Sequence, residues 1–175
     1  VHTRYISSDL EKNVAYLEQL LGVGRSFDII SQPYEFKGQR LHVFVINGFF
    51  QEHTVLQLLA ELFSEEAFPD RREGIFLPRL LSQGLTLPGV QAVDTLDELA
   101  TAVLAGPMGI LIDGWEKGLV VDTRTYPARI PNVPQTEKVI FGPQDGFVET
   151  LLYNVVLIRR RLRDPRLRCE KMTVG

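Results

Sequence analysis

The 175-residue chain has little sulfur chemistry: it contains one cysteine, Cys169, and three histidines. A single cysteine cannot form an internal disulfide, and no cluster of cysteines and histidines has the spacing of a zinc site. The sequence therefore argues against a secreted disulfide scaffold and a zinc module, and it predicts no bound metal or cofactor. Hydrophobic residues make up 45% of the chain and charged residues 23%, which is typical of a folded globular protein.

The chain also lacks a long apolar run. Its longest mostly apolar stretch, residues 99–112, is interrupted by Gly106, Pro107 and Gly109, and it is shorter than the roughly 20 residues that a membrane-spanning helix needs. Because the first residue is Val1 and not methionine, we expect the chain to be part of a longer protein.

Motifs for the common catalytic chemistries are missing. The sequence has no GxGxxG or GxxxxGK[ST] motif for nucleotide phosphates and no G-x-S-x-G turn, and Cys169 has no histidine near it in sequence. His42 lies in an apolar strand, where a histidine with satisfied hydrogen bonds is a better interpretation than a general base. We therefore predict that the chain is not an enzyme.

Local patterns predict a mixed α/β (α+β) fold. The capping box Ser8–Glu11 opens a first helix that ends at Gly22, and the second strand of the hairpin that follows is apolar enough to be covered on both faces. Helices are predicted over residues 9–21, 51–63, 73–83, 95–106 and 146–163, and strands over 26–36, 40–46, 90–93, 108–113 and 119–124.

A border between two subdomains is predicted near residue 86, because Pro88-Gly89 separates two patterned halves. The expected architecture is two small side-by-side subdomains, 1–85 and 86–175, each with short, mostly antiparallel strands and packed helices. The second would end in a basic helix.

Charge is polarised along the chain. Residues 1–123 hold 9 Lys/Arg against 17 Asp/Glu, a net charge of −8, whereas residues 124–175 hold 10 against 5, a net charge of +5. The basic end lacks the interleaved aromatic and amide residues of a nucleic-acid surface, so we predict no nucleic-acid partner. A surface for assembly or for the membrane, and a solvated helix end, remain as interpretations. The residues concerned are Arg159, Arg160, Arg161, Arg163, Arg166 and Arg168.

A second group of polar residues lies near the predicted hairpin 108–124. Asp113 and Asp122 close the ends of the hairpin around the loop GWEKG (114–118) and could form a carboxylate pair, although strand-end aspartates more often cap a loop. Arg124 and Arg129 could clamp an anion or form ion pairs. Together Asp113, Arg124 and Arg129 are the candidate ligand contacts of a cleft between the two halves.

Motifs in residues 120–175 resemble the signature region of the spore germination family that contains the germinant-receptor A subunits and stage V sporulation protein AF (SpoVAF). Residues 23–50 are more similar to the SpoVAF branch. The ribbon 131–136 and Gln144 depart from the basic residues expected there. The matching motifs are Asp122-Thr123-Arg124, Tyr126-Pro127-Ala128-Arg129, Glu137-Lys138, Gly142-Pro143, Gly146-Phe147-Val148-Glu149, Ile158-Arg159-Arg160-Arg161 and Asp164-Pro165.

This resemblance implies a domain on the cytoplasmic face of the spore inner membrane, within a multi-pass membrane protein whose spans follow the chain. It implies a part in germination and ion release, as a coupling or assembly module. The expected partners are other spore-membrane subunits, the protein's own transmembrane region, further copies of the full-length protein and anionic lipid. The alternative is a domain that binds a small, germinant-like molecule in the inter-subdomain cleft.

Overall fold

A computed structural model describes residues 3–36, 38–47, 55, 56, 59, 89–122 and 151–173. Within these ranges the chain forms three helices and five strands. The helices are α1 (Leu10–Leu21), α2 (Leu96–Ala105) and α3 (Leu151–Leu162), and the strands are β1 (Ile29–Phe36), β2 (Gln39–Ile46), β3 (Val90–Val93), β4 (Met108–Ile112) and β5 (Gly118–Val121).

The five strands form one antiparallel sheet in the order β1-β2-β4-β5-β3. The two hairpins predicted from turn chemistry, β1–β2 and β4–β5, are both present, and β2 pairs with β4 between them. Apart from Gln39, Arg40 and His42, the residues of β2 are buried. This confirms the prediction that β2 is a central strand covered on both faces.

The apolar core consists of two layers, one on each face of the sheet. Because successive side chains of a strand point to opposite faces, Phe44 and Ile46 pack with α1 and α2, whereas Val43 and Val45 pack on the other face. The second layer includes Val55 and Leu59, which are helical and lie in the helix predicted over 51–63. Leu56 is helical and exposed, and the other residues of that helix lie outside the described residues.

Helix α1 begins one residue later than its predicted capping box implies. The N-cap is Asp9, whose carboxylate accepts a hydrogen bond from the backbone N–H of Lys12, so the prediction of Ser8 as the cap is wrong. Asp and Ser are comparably good caps, and the sequence alone does not choose between neighbours. At the other end Gly22 adopts a left-handed conformation (φ 72°), as predicted for the C-terminal stop.

Helix α2 begins as predicted. Thr95 and Glu98 exchange both hydrogen bonds of a capping box. The helix lies so close to β4 that a Cβ atom on Gly109 would stand 2.6 Å from Cγ2 of Val103. Glycine at this position therefore sets how closely α2 packs on the sheet.

The mixed α/β class and the mostly antiparallel strands are confirmed. The division into 1–85 and 86–175 stays a prediction, because residues 60–88 lie outside the described residues, as does the helix predicted over 73–83. Strands from the two predicted halves, β2 and β4, are hydrogen-bonded neighbours in one sheet.

Candidate functional site: a clasp between the C-terminal segment and the first helix

Arg159 of α3 forms a buried ion pair with Asp28. Its Nε lies 2.8 Å from Oδ2 of Asp28 and its Nη2 lies 3.0 Å from Oδ1, and both side chains have no exposed surface. The guanidinium also donates from Nη1 to the backbone carbonyl of Leu167 at 3.0 Å and contacts Sγ of Cys169 at 3.5 Å. This bidentate geometry with further partners is the arrangement a buried arginine requires.

The prediction that Arg159 belongs to an exposed assembly or membrane-proximal surface is therefore wrong. Helical spacing in the sequence also predicts that the last helix buries an apolar stripe made of Phe147, Leu151, Val155, Ile158 and Leu162. This prediction is wrong in part, because Leu151 and Leu162 are exposed, whereas Val155, Val156 and Arg159 are buried. With Arg159 on the buried side, the helix presents its guanidinium to Asp28.

Asp28 is held in place by the loop that joins α1 to β1. Gly22 turns the chain out of the helix, and its carbonyl accepts a hydrogen bond from the N–H of Ser26 at 2.9 Å. The carbonyl of Asp28 accepts a hydrogen bond from the N–H of Asn47 at 2.7 Å. These bonds fix the backbone of Asp28 just before the start of β1.

The C-terminal segment, residues 163–173, runs back along this loop. The N–H of Phe27 donates to the carbonyl of Cys169 at 2.9 Å, and the N–H of Cys169 donates to Oγ of Ser26 at 3.1 Å. Burial raises the pKa of the Cys169 thiol, and nearby Asp28 adds to the effect. We call this set of contacts, together with the Asp28–Arg159 pair, the clasp.

Arg168 adds a further link between the C-terminal segment and α1. Its Nη2 donates to the carbonyl of Leu20 at 3.3 Å, and its Nη1 donates to the carbonyls of Pro165 and Leu167. The guanidinium lies over Gly22, where a Cβ atom would collide with it. The last turn of α1 is therefore part of the clasp.

The other predicted basic residues are exposed. Arg166 forms a bidentate contact with Asp164, which lowers the pKa of Asp164 to about 2. The side chain of Arg166 is largely exposed and that of Asp164 is partly exposed. Arg163 ends α3 in a left-handed conformation and donates from Nε to the carbonyl of Arg160 at 2.9 Å. Arg160 and Arg161 are exposed at the same end of α3.

Asp113 lies in a separate polar cluster at the junction of β2, β4 and α1. Arg40 binds Oδ2 of Asp113 through Nε at 3.2 Å and Nη2 at 2.8 Å, and its Nη1 binds Oε1 of Glu11 at 3.0 Å. A groove of about 650 Å³ runs past Asp113, Arg40, Gln39 and Ser8. Asp113 therefore lines a groove, but its carboxylate is already paired.

The other polar residues predicted near Asp113 are not brought to it. Asp122 lies at the opposite end of the β4–β5 hairpin, where its N–H donates to the carbonyl of Gly89. Five strand residues at about 3.3 Å each separate the two ends, so Asp113 and Asp122 do not form the carboxylate pair that is the less favoured of the two interpretations. Arg124 and Arg129 lie outside the described residues.

Comparison with known proteins relates the chain to spore proteins. The model of the Bacillus/Clostridium GerA spore germination protein family matches residues 15–175. The chain belongs to this family. It is 34% identical over 94% of its length to stage V sporulation protein AF of Bacillus subtilis and 31% identical over 97% to spore germination protein KA of the same organism. These alignments cover 33% and 31% of the relatives, so the chain spans about a third of their length.

The GerA fold is also found in a solved structure. The crystal structure of the N-terminal domain of the A subunit of the Bacillus megaterium spore germinant receptor GerK3 matches the whole chain with a TM-score of 0.68, at 18% identity, over 63% of that chain. A further relative, 27% identical, is an uncharacterized membrane protein, YfkQ, of Bacillus subtilis. None of the helices in the described ranges has the length and apolar character of a membrane span.

Sequence reasoning missed the Asp28 half of the clasp. Asp28 stands in the apolar run Phe27-Asp28-Ile29-Ile30, and Arg159 lies four residues after the buried Val155. A charged residue on each of two apolar patterns is a signal for a buried ion pair. Nothing local indicates that the two patterns belong together, because 131 residues separate them.

Proposed function

We propose that the chain is the cytoplasmic N-terminal domain of a spore inner-membrane protein that takes part in germination and ion release. In this proposal the domain couples contact with partner subunits to the membrane part, and it performs no catalysis. Membership of the GerA family, the length of the relatives and the fold of a receptor A-subunit domain support it.

The observation that carries the coupling role is the clasp. A chain segment that leads away from a folded domain transmits force only where it is attached to the domain. Residues 163–173 are attached by hydrogen bonds to Ser26, Phe27 and Leu20. The carbonyl of Leu167 also accepts a hydrogen bond from Arg159, which forms the buried ion pair with Asp28. A change in the position of α1 would therefore move this segment, and with it whatever follows in the full-length protein.

The polarised charge supports assembly. The first 123 residues carry a net charge of −8, and the exposed arginines at the end of α3 belong to the part with net charge +5. Opposite ends of neighbouring copies would attract, and such head-to-tail contacts close into rings when the rotation between copies allows it.

Replacing Arg168 by alanine in the full-length protein tests the coupling role. The change removes the hydrogen bond to Leu20 but leaves the Asp28–Arg159 pair intact, so the domain should still fold. We expect spores with Arg168→Ala as their only copy to release potassium ions several-fold more slowly after a germination stimulus. The measurement uses an ion-selective electrode and spores matched for protein level by immunoblot.

Arg166→Ala is the matched control, since Arg166 lies two residues away and pairs only with its neighbour Asp164 in the described contacts. Its spores should behave like the wild type. Equal release rates for Arg168→Ala and Arg166→Ala would contradict the coupling role. Assembly is checked by sedimentation of the full-length protein in detergent, where monomers alone would contradict it.

The groove beside Asp113 supports small-molecule binding as a second candidate function, since it lies where β2 of the first predicted half meets β4 of the second. Calorimetric titration of the chain with amino acids, sugars and dipicolinate tests it. A ligand that enters the groove should give a saturable signal, which Asp113→Asn weakens at least several-fold. An absence of saturable heat for every compound would favour a pure coupling and assembly domain.

A further inference from the structure

Three polar side chains from three elements meet between α1 and the β1–β2 hairpin. Oγ of Ser31 on β1 lies 2.6 Å from Oε1 of Glu18 on α1 and 2.6 Å from Nε2 of His42 on β2. The His42 nitrogen and the Glu18 oxygen are 3.9 Å apart, so Ser31 is the bridge between them. We call this cluster the relay.

The number of available protons fixes the direction of the relay. The Ser31 hydroxyl has one proton, and an ionised Glu18 can only accept. Ser31 therefore donates to Glu18 and accepts from an N–H at Nε2 of His42. A nucleophilic serine would instead donate to the imidazole, so the relay has the opposite direction from a catalytic pair and serves to hold α1 on the hairpin.

The surroundings of His42 disfavour its charged form. The ring is 12% exposed and lies against Phe44, with ring centroids 5.1 Å apart, and Leu111 of β4 is opposite it in the sheet. Burial lowers the pKa of His42, and attraction by Glu18 and Glu11 only partly offsets this. The charged groups near the ring are Glu11 and Glu18 on α1, Glu35 on β1 and Arg40 on β2. Lys12, also on α1, pairs with Asp9 at the start of the helix.

We propose that the relay is a proton-sensitive latch between α1 and the β1–β2 hairpin, and that protonation of His42 loosens it. The neutral imidazole donates a hydrogen bond to Oγ of Ser31, and this leaves the Ser31 hydroxyl free to donate to Glu18. The imidazolium brings a second N–H and a full charge into a site shielded by Phe44 and α1. The folded arrangement therefore binds this proton less readily than the open one does.

The latch has a consequence for the clasp. Glu18 is on the same turn of α1 as Leu20 and Leu21, and Arg168 holds the carbonyl of Leu20. Loosening α1 at the relay would therefore loosen the attachment of the C-terminal segment. This consequence, unlike the latch itself, rests on the proposed coupling function.

The pH range follows from the direction of the shift. Folding lowers the pKa of His42, so well above pH 6.5 the imidazole is neutral in both the latched and the open arrangement. The relay then stabilises the contact between α1 and the hairpin fully. As the pH falls below about 6.5, His42 takes up a proton first in the open arrangement. The stabilisation of the contact between α1 and the hairpin then decreases until the pH passes the folded-state pKa of His42.

Hydrogen exchange of the 175-residue chain at pH 7.5 and pH 5.5 tests the latch, with each rate divided by the intrinsic rate at that pH. Protection of the α1 amides should fall on acidification, by up to about tenfold for each unit of separation between the two pKa values. Protection of α2 serves as the internal reference. An equal change in α1 and α2 would overturn the proposal.

Two variants make the test specific. In His42→Gln the side-chain amide can still donate to Ser31 but does not titrate, so α1 protection should become independent of pH; an unchanged pH response would overturn the latch.

Glu18→Gln removes the charge that attracts the imidazolium, so the His42 pKa measured by NMR should fall further. Glu116→Gln, at an exposed position, is the control and should leave the His42 pKa unchanged. A His42 pKa that is also unchanged in Glu18→Gln would overturn the proposal. Neither result depends on ion release by spores, so the latch and the proposed function fail separately.

Discussion

Replacement of Asp28 by asparagine is expected to lower the free energy of unfolding by about 3–5 kcal/mol, because it leaves the Arg159 guanidinium buried without a counter-charge. Both side chains are fully buried and joined by two hydrogen bonds of 2.8 and 3.0 Å, so solvent cannot replace the lost carboxylate. The cost is a large share of the roughly 5–15 kcal/mol that stabilises an ordinary domain. Urea denaturation of the 175-residue chain, followed by circular dichroism, measures it.

Asp164→Asn is the matched control for this prediction. It makes the same chemical change in the exposed pair with Arg166, where water takes over the interaction, and no measurable change is expected. The double variant Asp28→Leu/Arg159→Met should recover much of the lost stability, because apolar side chains of similar size can replace a buried pair. The interpretation of the clasp would be wrong if Asp28→Asn unfolded at the same urea concentration as Asp164→Asn.

The elements that sequence predicted well are those encoded by neighbouring residues. The capping box at Thr95, the left-handed stop at Gly22 and the pairing of β1 with β2 and of β4 with β5 follow from local chemistry, and the structure contains each of them. The nearly continuous apolar run of β2 also predicted its position correctly, since a strand covered on both faces needs apolar residues on both.

The errors arose where the outcome depends on distant partners. The face that α3 buries is set by Asp28, which lies 131 residues before Arg159, so helical periodicity alone selected Leu151 and Leu162, which are exposed. The proximity of Asp113 and Asp122 was inferred from the loop between their strands, but the strand register places them at opposite ends of the hairpin. Local patterns carry no information on either point.

The relay was missed for a related reason. The apolar strand around His42 favours a histidine with satisfied hydrogen bonds, and the bond to Ser31 agrees with that interpretation. The strand partner of His42 is Pro33, whereas Ser31 is paired with Phe44. The contact is therefore diagonal across the hairpin and becomes visible only once the register and the position of α1 are known.

Replacement of Phe44 by alanine is expected to lower the free energy of unfolding by about 3–5 kcal/mol, because a fully buried aromatic ring is lost and the cavity closes only in part. Phe44 has no exposed surface, lies in the central strand β2 and packs in the layer beneath α1 and α2, next to His42. Phe44→Leu should cost clearly less, since leucine fills more of the space. Tyr5→Ala is the control for loss of an aromatic ring on the surface, because Tyr5 is 71% exposed. If urea denaturation gave Phe44→Ala and Tyr5→Ala equal stability, the layer between α1 and the sheet would not be the core that this structure describes.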